Sequence, residues 1–331
     1  MTEFRRDITS NEWILIASQR IKRPKKFISK KNIKVDVDYV KNCPFCYGNE
    51  HLTPPEKAVY KNDPNSLFWN IRVIPNMFPA VSAERSNESS IIDDFFKTTG
   101  GYGFHEVIVE SPFHNRTITK LKISEIESII RVYQDRFRNL AMESIKYIML
   151  FKNQGELAGA SIDHIHSQII AMPVISEHVK QKNEIALDYF KKTKRCLYCD
   201  INSKEIDSED RILYQNDDFL VFNPYASRYP FETWISPKNH QASFRNIGPK
   251  EIKTLASILL ETIVKIYHGL NQPDLNYLIY SAPVGEENSS YLHWYIQIVP
   301  RIQNFGGFEI GTGIYINIQS PEGSAKYLKE I

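Results

Sequence analysis

Long apolar runs are missing from this chain of 331 residues. No stretch approaches the roughly 20 apolar residues that a membrane-spanning helix needs. The opening Met1-Thr2-Glu3-Phe4-Arg5-Arg6 carries no apolar signal core. Excess charge is missing too, since 41 Lys and Arg stand against 39 Asp and Glu, a net of +2. No large field for a nucleic-acid backbone or a membrane follows from that balance. The expectation is a cytoplasmic protein with neither nucleic acid nor membrane as partner. Cysteine is scarce as well. All four fall in two pairs, Cys43-Pro44-Phe45-Cys46 and Cys196-Leu197-Tyr198-Cys199. That usage excludes a disulfide-rich scaffold and favours metal.

What is present occurs twice. After the cysteine pairs, Val73–Ala80 is answered by Val221–Ala226. His105–His114 is answered by Phe231–His240, with His105 opposite Phe231, and each stretch ends in Ser-Pro followed shortly by histidine. Residues 123–141 put Ile126, Ile129, Ile130 and Tyr133 on one helical stripe, and residues 249–268 do the same with Ile252, Leu255, Leu259 and Ile263. Strands closed by glycine follow, Tyr147–Gly155 and Tyr277–Gly285. His164-Ile165-His166-Ser167-Gln168 closes the first unit, and His293-Trp294-Tyr295-Ile296-Gln297 the second. Two copies indicate fused homologous domains and not a solenoid. The expected division is 1–180 and 181–331, within a boundary region of residues 172–195.

A structural zinc needs four thiolate or imidazole ligands in tetrahedral array. Each half supplies them in the same order: Cys43, Cys46, His114 and His164, then Cys196, Cys199, His240 and His293. His105 and His51 are rival ligands, ranked lower. The alternative, buried thiols or a redox pair, lacks the helix that normally follows a redox Cys-x-x-Cys. Two structural zinc sites are expected, the first pinning the backbone that presents His166.

On a strand, His164, His166 and Gln168 share one face. His166 then stands as a nucleophile toward phosphorus, and Gln168 as an uncharged donor to a phosphoryl oxygen. The loop Phe151–Ser161 offers glycines for close backbone approach, with Asn153 and Ser161 suited to phosphate oxygens. Polar strand residues facing water and a plain turn are the bland readings of these two features. Arg20 and Arg23, after the strand beginning at Trp13, are candidates for clamping phosphates. The basic stretch Lys25–Lys34 reads as a solvated loop.

These motifs, with Ile74-Pro75-Asn76 and Gly307-Phe308-Glu309-Ile310-Gly311-Thr312-Gly313, make the chain resemble the galactose-1-phosphate uridylyltransferase family of the histidine-triad superfamily. The likeness covers nearly the whole length. It is especially similar to the branch carrying ADP-glucose phosphorylases, through Phe-Lys-Asn-Gln-Gly and His-x-His-Ser-Gln. The resemblance implies a duplicated α+β histidine-triad-like fold, with two antiparallel sheets and packed helices, usually as a homodimer. It implies ping-pong transfer of a nucleoside monophosphate through nucleotidyl-His166. Gln168 and Ser161 would hold the phosphoryl group, Asn153 would assist, Asn76 would belong to the nucleotide pocket, and Glu309 and Gly311 to the hexose phosphate. Ile165 and Ser167 depart from the family's His-Pro-His-Gly-Gln, and Tyr295 rules out copying a second-half metal site built on His-x-His.

The leading expectation is uridylyl transfer from UDP-glucose to galactose 1-phosphate. The alternative uses an ADP-sugar with inorganic phosphate as acceptor. A hydrolase is disfavoured because a third histidine is missing at Gln168, and an amide cannot act as general acid. A zinc-containing nucleic-acid-binding module, resting on Phe45, Tyr198, Lys194 and Arg195 around the knuckles, is the outsider.

Overall fold

The computed structural model describes residues 2–22, 36–86, 88–92 and 95–331. Arg23 and the Lys25–Lys34 stretch lie outside the described residues. The strands of the first half are β1 Thr2–Arg6, β2 Trp13–Ala17, β3 Ala58–Tyr60, β4 Ile71–Pro75, β5 Ser89–Ile92, β6 Phe96–Thr99, β7 Phe104–Val109, β8 Tyr147–Gln154 and β9 His166–Met172. Those of the second are β10 Ile212–Gln215, β11 Phe219–Phe222, β12 Thr233–Pro237, β13 Leu275–Tyr280, β14 Tyr295–Pro300 and β15 Ile316–Asn317. The helices are α1 Ile123–Leu140, α2 Glu177–Thr193, α3 Leu197–Ser208, α4 Pro249–Gly269, α5 Gly307–Thr312 and α6 Pro321–Lys329.

Among the described residues, ten strands form one antiparallel sheet in the order β3-β4-β7-β9-β8-β13-β14-β12-β11-β10. From each outer edge inward the halves repeat one another: β3, β4, β7, β9, β8 answer β10, β11, β12, β14, β13. They meet where β8 pairs with β13, Asn153 opposite Asn276 and Lys152 opposite Tyr277. The two expected antiparallel sheets are thus the five-stranded halves of one continuous sheet. A smaller sheet joins β1, β2 and β15.

Register corrects two equivalences drawn from the sequence. Val107 lies opposite Gln168 and Trp234 opposite Gln297, so His105 corresponds to Glu232, not Phe231. Phe151 lies opposite Gln168 and Leu278 opposite Gln297, which puts Tyr147 and Tyr277 three residues out of step. For β12 the reason is burial on both faces. Every residue of β12 is buried, so its sequence has no alternation to mark register.

Helices α1 and α4 pack together beside the sheet. Their predicted stripes are all buried, Ile126, Ile129, Ile130 and Tyr133 on α1 and Ile252, Leu255, Leu259 and Ile263 on α4. Each buried aliphatic side chain of this kind contributes about 1.5–3 kcal/mol. Both helices start on the same device. Glu125 accepts from the Lys122 amide at 2.7 Å, and Glu251 accepts from Gly248 at 2.8 Å, with Pro249 in the first turn. One apolar core takes in both helices and strands from both halves. Among the described residues, no helix is long and apolar enough to cross a membrane.

Candidate active site and metal centres

β9 alternates as a strand must. Ser167, Ile169 and Ala171 turn toward α1: Ile169 and Ala171 join its core, and Ser167 hydrogen-bonds Tyr133 at 2.7 Å. His166 and Gln168 turn the other way. The His166 ring is 6% exposed, with Nδ1 2.7 Å from the His164 carbonyl. A carbonyl only accepts, so Nδ1 carries the proton and Nε2 keeps the lone pair. Burial, chiefly, holds the His166 pKa below the ordinary histidine range, and the Lys152 charge acts in the same direction. Phe45, inside the first cysteine knuckle, packs against the ring at 5.2 Å. The first cysteine loop and the His166 imidazole are thereby in contact.

Gln168 has a partner that sequence reasoning placed elsewhere. His105, ranked there as a rival metal ligand, lies with Nε2 2.9 Å from Gln168 Oε1. Its Nδ1 accepts from the Ala80 amide at 3.1 Å, so in the neutral ring the proton sits on Nε2 and is donated to Gln168. Burial lowers the His105 pKa, favouring that neutral ring. Asn76 Nδ2 lies 3.1 Å from the same His105 Nε2 and, with that nitrogen a donor, directs its own hydrogen to Gln168 Oε1 at 3.4 Å. With two donors on its oxygen, Gln168 has its NH2 group left to donate. In the second half the polarity is reversed. Gln297 Nε2 donates to Glu232 Oε1 at 2.6 Å, leaving the amide oxygen outward.

Behind His166 lies a buried polar network whose members appear in the motifs but whose role sequence did not reveal. Glu110 accepts from Tyr133 and Ser167 at 2.5 Å each and forms an ion pair with Lys152. Both charged side chains are 1% exposed. Lys152 also donates to the His166 carbonyl at 3.0 Å, and Tyr277 on β13 reaches Tyr133. Burial, opposed by Glu110, lowers the Lys152 pKa. The backbone of His166 is therefore held by a charge pair between β8 and the residue that follows β7.

Asn153 accepts from Asn276 Nδ2 at 2.8 Å, so the second half also shapes this loop. Gly155 turns it at φ +90°, where a Cβ would meet the Asp274 carboxylate at 2.1 Å. Ser161 is exposed on the same loop. Arg20 sits on the short 3-10 turn after β2. No hydrogen bond or ion pair among the described residues ties it to His166. Glu309 caps α5 by accepting from Gly306 at 2.9 Å, and Gly311 is exposed on that helix.

The predicted metal sets assemble as two clusters. Within each, Cys43, Cys46, His114 and His164 or Cys196, Cys199, His240 and His293, the ligand atoms all lie within 4.8 Å of one another. Thiol-to-imidazole separations run from 3.5 to 3.7 Å. A tetrahedral zinc with ordinary bond lengths gives an edge of about 3.6 Å. The imidazoles are oriented for it. Nε2 of His164 donates to the Ser111 carbonyl at 2.7 Å, that of His240 to Ser289 at 2.9 Å, and that of His293 to Pro237 at 3.0 Å. Each Nδ1 lone pair then faces the thiols. Burial pushes the Cys43 thiol up to about 11, whereas the Cys199 hydrogen bond drives Cys196 down. A bound cation would displace the remaining thiol protons. His51 stands exposed on the short turn Glu50–Leu52, outside both clusters.

The family profile described as galactose-1-phosphate uridyl transferase, N-terminal domain, matches residues 1–176, and a domain of unknown function matches residues 114–329. An ADP-glucose phosphorylase of Arabidopsis thaliana is 38% identical over 99% of this chain and 93% of its own. A galactose-1-phosphate uridylyltransferase of Thermotoga maritima is 26% identical over 100% of this chain and 98% of its own. The crystal structure of an ADP-glucose phosphorylase from Arabidopsis thaliana with bound ADP-glucose superposes with a TM-score of 0.86 at 36% identity, covering 100% of this chain and 99% of that one. Fold, site and relatives together define a nucleotidyltransferase on a duplicated antiparallel sheet. The chain belongs to the galactose-1-phosphate uridylyltransferase family.

Proposed function

We propose that this enzyme transfers AMP from an ADP-hexose to inorganic phosphate, through a covalent adduct on His166. The observation that carries the chemistry is the His166–His164 hydrogen bond, which leaves Nε2 as the free lone pair. Nε2 attacks the α-phosphorus, the bond from that phosphorus to the bridging oxygen breaks, and hexose 1-phosphate leaves with the electron pair. An oxygen of inorganic phosphate then attacks the adduct phosphorus, the P–N bond breaks with its electron pair returning to Nε2, the imidazole is the leaving group, and ADP is released. Neither leaving group needs a strong general acid, in keeping with an amide at Gln168. The Gln168 NH2, with Ser161 and Asn153 from the Gly155 loop, would donate to the oxygens of the transferred phosphoryl group. Asn76 would border the nucleotide, and Arg20, Glu309 and Gly311 the hexose phosphate.

Adenine is chosen over uracil because likeness to the ADP-glucose phosphorylase, 38%, exceeds that to the Thermotoga uridylyltransferase, 26%. Uridylyl transfer to galactose 1-phosphate is the second reading, supported by the profile over residues 1–176. Intact-protein mass spectrometry after separate incubation with ADP-glucose and UDP-glucose decides between them. An AMP adduct that disappears in His166→Asn is the expected result. A UMP adduct alone selects the second reading, and no adduct from either removes both.

We read both four-residue clusters as zinc sites. With four protein ligands the metal offers no open position, so it acts as a cross-link. Free cysteines throughout support a reducing, cytoplasmic setting. Exposed Phe308 and Ile310 on α5 support a homodimer in which that helix meets its partner. We keep the division into repeats 1–180 and 181–331, joined through α2.

A further inference from the structure

The second half has lost its reactive histidine, yet its counterpart face is not closed. Between α2, α3, β11, β12, β14 and the Arg6–Thr9 segment lies a cavity of about 710 Å³. Small-molecule sites are of this size. Its lining includes Gln297, the counterpart of Gln168, and none of the residues gathered around His166.

Three features give the cavity a chemistry. Tyr295, in the nucleophile's place, is stacked between Trp234 at 4.1 Å and Tyr280 at 4.8 Å. Trp234 and Tyr280 also line the cavity, with Phe222 and Tyr225, an aromatic surface suited to a flat ring. Lys182 reaches in from α2, only 7% exposed, with Nζ 3.0 Å from Tyr295 Oη. Among the described residues, no carboxylate lies within ion-pair distance of it. Asp7 faces it beyond ion-pair distance; against the effect of burial, the Lys182 charge and hydrogen bonds from Thr9 and Ser10 at 2.8 Å hold that carboxyl ionised, so it offsets the ammonium without touching it. Glu232 is bonded to Gln297 and Trp234, and Arg228 is paired with Glu12. The ammonium also faces the Trp234, Tyr280 and Tyr295 rings at 5.1–5.6 Å, and with no carboxylate in contact an anion placed on it would gain a direct charge-assisted hydrogen bond. Gln297 Oε1 supplies an acceptor, because its NH2 is held by Glu232. Exposed Arg6 and Lys204 line the same cavity.

We propose that this cavity is a second nucleotide site, one that binds without reacting. The phosphate would lie on Lys182, the base against the aromatic surface, and a hydroxyl or ring amine on Gln297 Oε1. Tyr295, only 2% exposed, has its hydroxyl hydrogen-bonded to Lys182 and its ring enclosed by two others, which leaves it poorly placed to form an adduct. A bare anion would satisfy Lys182 but leave most of the volume and the aromatic wall unused. The proposal rests on the cavity and stands apart from the reading of His166.

Equilibrium dialysis of the zinc-loaded full-length enzyme against labelled AMP tests it. Wild type should bind one AMP more per chain than Ser203→Trp, which plugs the cavity from an exposed position on α3. Lys182→Met should lose the same equivalent, and an excess of inorganic phosphate should not displace it. Equal stoichiometry in wild type and Ser203→Trp overturns the proposal, whether or not Lys182→Met folds. Complete displacement by phosphate overturns the nucleotide assignment. Failure of the His166 reading would show instead as a missing covalent adduct, which reversible binding of AMP does not report.

Discussion

Two side chains separate what a residue is from what it does. His105 and Glu232 occupy equivalent strand positions and hold equivalent glutamines, but one donates and the other accepts. His105 thus sets which end of the Gln168 amide is left to donate, and in the proposed reaction that end would meet a phosphoryl oxygen. His105→Gln keeps a donor and should stay close to wild-type turnover. His105→Glu should turn the amide as Glu232 does, and kcat should fall roughly 100-fold, the scale of losing one oxyanion donor. A packing role alone would not rank the two near-isosteres that way, and zinc content should be unchanged in both. The Lys152–Glu110 pair makes a different prediction. Lys152→Met strands a buried carboxylate and should cost about 3–5 kcal/mol in denaturant unfolding. Lys152→Met with Glu110→Gln should recover much of that loss; a double variant no more stable than the single one would count against the pair.

At the scale of elements, the first knuckle differs from the second in what it touches. Phe45 packs on His166, whereas Tyr198 stacks over Tyr295 at 5.7 Å. Cys43→Ser and Cys196→Ser should each lose one metal per chain by elemental analysis. Both should lower the melting temperature more than they change the rate of adduct formation in the protein that remains folded. Of the two, only Cys43→Ser should alter that rate at all. Unchanged metal in both variants would remove the ligand sets. Helices α1 and α4 are legible because their stripes repeat at helical spacing and nothing else in 123–141 or 249–268 competes; α3 is not, and it opens directly after Cys196, where the sequence reading expects no helix. The strand equivalences were less so: β12 is buried on both faces, and its pairing was out by one residue.

For the whole molecule, the joint between β8 and β13 matters most. It carries the sheet across the repeat and brings Asn276 and Tyr277 to the loop and network of the first half. A core shared by α1 and α4 leaves no apolar surface at which the halves could separate cheaply. Thermal unfolding should therefore be one cooperative transition. Trp69 in the first half and Trp234 and Trp294 in the second are buried reporters. Single-tryptophan fluorescence in either half should melt together with far-ultraviolet circular dichroism; two separated midpoints would contradict the shared core.

The sequence alone brings out the duplication and the two cysteine–histidine sets that the fold gathers, and it singles out His166 as the candidate nucleophile. Those depend on residue type and on spacing along the chain, which covalent geometry preserves. Tertiary structure decided which ring nitrogen carries a proton, which end of each glutamine faces outward, and where a buried cation lacks a carboxylate. Such contacts join residues 63 apart for His105 and Gln168, 42 apart for Lys152 and Glu110, and 144 apart for Tyr133 and Tyr277. Strand register, and for Tyr133 the packing of α1 on the sheet, bring such residues together, and in strands buried on both faces the sequence leaves register unmarked.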